Sequence, residues 1–139
     1  MADHRERGSV LMLMPAAVLI VVVLGAIAID RAVVFGAQRE LILEAQAAAN
    51  DAAAIGADPG AIRDGTAEVR LDRGRVGRAI EESLVGVDDL VDVRWRVEGD
   101  EVVVVLEQRV EYVFTKGVTG AMDTTTVVAT ARARLVRPA

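Results

Sequence analysis

From Ser9 to Ile29 the chain runs Ser-Val-Leu-Met-Leu-Met-Pro-Ala-Ala-Val-Leu-Ile-Val-Val-Val-Leu-Gly-Ala-Ile-Ala-Ile without one charged side chain. Nothing else in the sequence constrains the fold as strongly. About 21 residues at the helical rise of about 1.5 Å give a rod of roughly 31 Å, which matches a hydrocarbon core of about 30 Å. A transmembrane helix over 9–29 is therefore expected. A helix buried in a soluble core is the poorer reading, because a 139-residue chain has too little other apolar mass to wrap such a rod on every side. A cleaved signal peptide is the sharper competitor, since Ala26-Ile27-Ala28 fits the small-x-small cleavage pattern. Signal segments, however, carry apolar stretches of about 7 to 15 residues, shorter than this one. Arg5 and Arg7 before the span balance Arg31 and Arg39 after it, so charge does not orient it. The long C-terminal part favours an N-terminus inside.

Helix-forming residues continue past the membrane. Between Pro15 and Pro59 there is no proline, and Leu41, Ala45, Ala48, Ala52 and Ile55 recur at spacings of four and three. Gly56 and Asp58-Pro59-Gly60 form a stop signal. One helix of about 49 residues, roughly 74 Å long, is expected. Ala28, Ala32 and Gly36 form a small-xxx-small ridge across the outer membrane boundary, the pattern that lets two helices approach closely. Alanine is also simply abundant here. The organisation predicted is a segment 1–8 on the inner side, a span 9–29, a helical extension 30–57 and a head 58–139.

The head reads as α+β with a mainly antiparallel sheet, in the order α-β-α-β-β-β once the long helix is included. Thr66–Asp72 alternates as a strand, and Asp72 caps a helix with Val76, Ala79, Ile80 and Leu84 on its apolar side, ending at Gly86. Val91, Val93, Trp95 and Val97 alternate with charged residues in the clearest strand. Gly99-Asp100 then makes a hairpin turn into Glu101–Glu111. Val102 to Leu106 is continuously apolar, which predicts a central strand covered on both sides near its start. Ala129 to Leu135 alternates in a last strand.

Chemistry is sparsely provided. With no cysteine there are no disulfides and no thiol or Cys-metal sites. The one histidine, His4, precedes the span, so the head has no imidazole and the usual hydrolase arrangements are disfavoured. Glu81-Glu82 and Asp88-Asp89 are neighbours that point apart, and Ser83 has no base close in sequence. No catalytic, cofactor-binding or metal-binding residue is assigned, and no enzyme activity is expected. Tyr112 and Phe114, beside Gly117 and Gly120, read first as core anchors and second as a partner-contacting loop. A net charge of −5 with interleaved signs, and aromatics at 3%, disfavour nucleic acid as a partner.

One stretch is similar to a known family. Arg7-Gly-Ser-Val-Leu-Met-Leu-Met-Pro15, the apolar run, Ala28-Ile-Asp30, Gln38-Arg-Glu-Leu41 and the alanine-rich Ala45–Ala57 together resemble the TadE/TadG-like proteins. These are minor pilins or pseudopilins of the tight-adherence (Flp) pilus machinery. The likeness covers residues 7 to 57, and the head matches only in general architecture. It implies a pilin-like fold and a bitopic protein of the bacterial cytoplasmic membrane with its N-terminus inside. It further implies a structural role in pilus assembly, with the bilayer, other assembly proteins or pilins, and other copies of the chain as partners. Processed members carry a glycine before the cleavage site and a glutamate at the fifth mature position. Gly8 matches the first, but Leu13 stands at the second, so the resemblance points to the unprocessed TadG-like branch. An exported or anchored binding domain unrelated to pili is the alternative, and an anchored enzyme ranks last.

Overall fold

The structure, a computed structural model, describes residues 6–57, 71–116 and 123–135, with side chains from residue 13 onward. Its dominant element is α1 (Glu6–Ile55), one helix of 50 residues with Pro15 inside it. The helix has the expected length and continues past the end of the apolar run at Ile29 without a break. Within 13–29 every side chain is exposed except that of Ala26, which is half-buried. The apolar run is therefore not the core of this chain. It is long and apolar enough to cross a membrane.

The head is built on the upper part of that rod. It contains α2 (Arg73–Ser83), β1 (Leu90–Glu98), β2 (Glu101–Glu111) and β3 (Thr124–Arg134). The strands form one antiparallel sheet in the order β1-β2-β3. An α+β arrangement is thus present. The strand expected at Thr66–Asp72 lies outside the described residues except at its end, where Leu71 bridges to Ala57. Asp72 caps α2 as expected: its carboxylate accepts from the Arg75 amide at 3.0 Å. Gly99, at φ +65, turns β1 into β2. The last strand begins at Thr124, ahead of the Ala129 expected from alternation. The β-branched run Thr124–Val128 suits an extended chain, and it pairs fully with Gln108–Glu111 and Glu107.

Register explains the core. Val97, Val102 and Ala133 form one row across the sheet, Trp95, Val104 and Ala131 the next, and Val93, Leu106 and Ala129 a third. Alternation sends these rows to one face, and α1 lies against β2 and β3. Ala45, Ala48, Ala49, Ala52 and Ala53 of α1 are buried, as are Ala129, Ala131 and Ala133 of β3. Small residues on both sides let the helix sit close to the sheet, so dispersion contacts are dense although few side chains are large. The buried stripe differs from expectation at its end. Ile55 is exposed, and Ala49 and Ala53 are buried instead. Each step of four residues advances about 40° around a helix, so the stripe Leu41-Ala45-Ala49-Ala53 drifts away from Ile55.

The other sheet face is charged. Arg94 pairs with Asp92 at 2.9 Å and with Glu107, Arg96 with Glu98 at 2.5 Å, and Arg132 with Glu101 at 3.7 Å. Val103, in register between Arg96 and Arg132 on that face, is fully buried. The arginine stems supply the cover, so β2 is central and protected on both sides near its start.

Candidate functional site: the carboxylate between helix and head

Asp30 is the first residue after the apolar run and the one buried polar or charged residue among the described residues. Residues 30, 34, 37, 41 and 45 recur at helical spacing, and Val34, Ala37, Leu41 and Ala45 on this face pack into the core of the head. Asp30 thus sits at the lower end of the stripe that the head covers. Its Oδ1 accepts from the backbone amides of Val113 at 2.8 Å and Phe114 at 2.9 Å. Its Oδ2 accepts from the Thr115 amide at 2.8 Å and the Thr115 hydroxyl at 2.6 Å. Three successive amides and a hydroxyl aimed at one carboxylate make an anion nest. The loop that offers them leaves β2 at Glu111, and the Tyr112 amide holds its base by donating to the Asp123 carbonyl at 3.0 Å.

The electrostatics follow from that geometry. Desolvation by burial pushes the Asp30 carboxyl up. The Thr115 hydroxyl and the amides of Phe114, Thr115 and Val113 more than offset it, and hold the group at about 2. Asp30 is therefore a fixed anion at neutral pH. It is a mechanical clasp between rod and head, and its acceptor capacity is taken up by its own chain.

Other residues singled out in the sequence fall elsewhere. Ala28, Ala32 and Gly36 are all exposed, and a Cβ added at Gly36 would meet nothing within 4 Å. At about 100° per residue the ridge lies on the side of α1 turned away from Asp30, Val34 and Leu41. Gly8 lies in the first turn of α1, and His4 lies outside the described residues. Tyr112 is half-buried, but Phe114 is half-exposed at 51% and Val113 at 58%, so Phe114 is not a core anchor. The loop's backbone, not its aromatic ring, is what ties it down.

The candidate carboxylates and the serine have structural partners or face solvent. The Ser83 hydroxyl donates to Asp51 at 3.3 Å, tying α2 to α1. Glu81, Glu82, Asp88 and Asp89 are exposed. Gln108 donates to the Asp88 carbonyl at 3.0 Å, and the Arg109 amide to that of Asp89 at 3.0 Å. Glu111 and Lys116 meet at 2.7 Å; that hydrogen bond holds the Glu111 carboxyl below its usual range and the Lys116 ammonium above its own.

The clasp was not visible to sequence reasoning, because its donors lie 83 to 85 residues away from Asp30. One signal was present: an acidic residue in phase with the apolar stripe of a helix. Compared with protein-family models, curated proteins and solved structures, the chain matches none of them.

Proposed function

We propose that the chain is a structural or accessory component of Flp/Tad-type pilus assembly, TadE/TadG-like and pilin-like in fold. In this reading it crosses the bacterial cytoplasmic membrane once, with its N-terminus inside and its head outside. It works through helix packing and protein–protein contacts and performs no catalysis. The observation that carries the reading is the division of labour around α1. One side of the rod is consumed by the head, from Asp30 to Ala53, while the opposite side leaves Ala28, Ala32 and Gly36 open across the membrane exit. A continuous rod with a head laid along one face and a small-residue ridge on the other is suited to side-by-side packing with a second helix. That second helix would belong to another assembly protein, a pilin or another copy of the chain.

Asp30 also weighs against the exported-domain alternative. Cleavage after Ala28 would leave Asp30 in the first, fraying turn of a new N-terminus, where a helix holds its side chains least firmly. N-terminal sequencing of the mature protein separates the two readings, since a start at Ile29 supports the alternative. The direct test is Ala32→Leu with Gly36→Leu in the full chain. Both positions are exposed, so the head should fold as before. Recovery of other assembly proteins on purification should fall, and undiminished recovery would argue against the proposal.

A further inference from the structure

The head does more than stand above the bilayer: its lowest loop is fastened at the level where the apolar run ends. Ile29 closes that run, and Asp30 follows directly. Helical side chains lean toward the N-terminus, so the Asp30 carboxylate sits nearer the hydrocarbon than its own Cα. The amides of Val113, Phe114 and Thr115 lie within 2.9 Å of that carboxylate. Ala26, one turn lower on the same face as Asp30, is the one residue of 13–29 that is not fully exposed. Beside this carboxylate Val113 and Phe114 are 58% and 51% exposed, two adjacent apolar side chains each left about half uncovered.

We infer that the Val113–Phe114 tip is a membrane-interface anchor, inserted among the headgroups and upper acyl chains of the same bilayer that α1 crosses. The occupant of this apolar surface is lipid, because the covalent helix brings the bilayer to the loop and the clasp holds the loop against it. Interfacial segments bury their apolar side chains about 5–10 Å into the headgroup and acyl boundary. Asp30 is then a positioning residue: it turns the loop's amides inward, so that two side chains, and no unsatisfied backbone donors, meet the lipid. The inference rests on the membrane-spanning part of the proposed function and is independent of any role in pili.

The chain has one Trp, Trp95, and no Cys, which makes the test direct. Trp95 pairs with Val104, nine residues up β2 and its following loop from Val113, or roughly 30 Å at about 3.3 Å per residue. Full-length Phe114→Trp in a Trp95→Phe background is reconstituted into phosphatidylcholine–phosphatidylglycerol vesicles, with flotation checked first. The new indole should lose emission to lipids brominated high on the acyl chain and resist iodide present on both sides. Trp95 of the wild-type chain should show the reverse. Quenching by iodide with no effect of brominated lipid would overturn the inference. Shielding from both quenchers would also overturn it, since protein would then cover the tip. Failure to float would remove the spanning helix and the anchor together. Val113→Cys carrying an environment-sensitive dye gives the same reading by a second route, with a blue shift in vesicles expected and no shift refuting.

Discussion

Gly56 is where the rod, the returning chain and α2 converge, and replacing it should unfold the head selectively. Its amide donates to the Ala52 carbonyl at 2.9 Å, and its carbonyl accepts from the Asp72 amide at 2.8 Å. A Cβ built on Gly56 would lie 2.4 Å from the Ala52 oxygen, 2.6 Å from Val76 Cγ2 and 3.2 Å from Leu71 Cδ2. Val76 and Leu71 are buried, and the nearest clash is with backbone, which no rotamer can relieve. Overpacking of this kind costs about 1–3 kcal/mol, and the backbone contact puts Gly56→Ala at the upper end, about 3 kcal/mol. With a urea slope near 1–1.5 kcal/mol per molar for a small head, the midpoint should fall by roughly 2–3 M. Trp95 is the reporter, because its indole packs so closely over Gly77 that an added Cβ there would meet Cζ2 at 3.1 Å. Its fluorescence in micelles follows the head while the apolar helix stays folded. Gly36→Ala is the control: it meets nothing, and exchanging a mid-helix glycine for alanine gains up to about 1 kcal/mol of helix propensity. A Gly56→Ala midpoint within about 0.3 M of wild type would refute the claim that this crossing point is closed to a methyl group.

Further outcomes are expected at the clasp and at the seam between helix and sheet. Asp30→Asn places an amide group against the donors, so the amides of Val113 to Thr115 should lose protection from hydrogen exchange while those of β2 keep theirs. In the wild type the folded carboxyl titrates at about 2 against an ordinary value of 3.8, so the clasp is fully present above pH 3.8 and is lost as pH falls through about 2. Amide chemical shifts of the loop should move in that window, and no transition should occur in Asp30→Asn. Ala49→Leu forces a larger side chain into the closed seam between helix and sheet and should cost about 1–3 kcal/mol in the same urea assay. Ala47→Leu, on the exposed side, should stay within about 0.5 kcal/mol.

How much of this was legible depends on how local its cause is. The length of α1 followed from helix formers without an interrupting proline, and β1 from strict alternation between Val91 and Val97, both signals carried by adjacent residues. Asp72 announced α2 because a cap and its amide lie three positions apart. Spacing alone runs the alanine stripe on to Ile55, but the stripe ends at Ala53, because the side of a helix that is buried depends on where the sheet lies. The alanine alternation from Ala129 marks only the later part of β3, and the β-branched run Thr124–Val128 ahead of it carries the earlier part. The size of Phe114 points to the core, whereas it is the loop's amides that are held. Asp30 was hidden most completely: its role exists only when Val113–Thr115, far along the chain, fold back onto it.

The absence of any break in α1 between Glu6 and Ile55 has a mechanical consequence. Head and apolar run share one shaft, with no swivel between them, so the head cannot reorient unless the apolar run does. From residue 30 to residue 55 the shaft rises about 38 Å, and a change of tilt of about 10° in the apolar run would carry its far end sideways by roughly 7 Å. In the proposed membrane-spanning arrangement, whatever leans on the apolar run is felt, magnified, at the far end of the head.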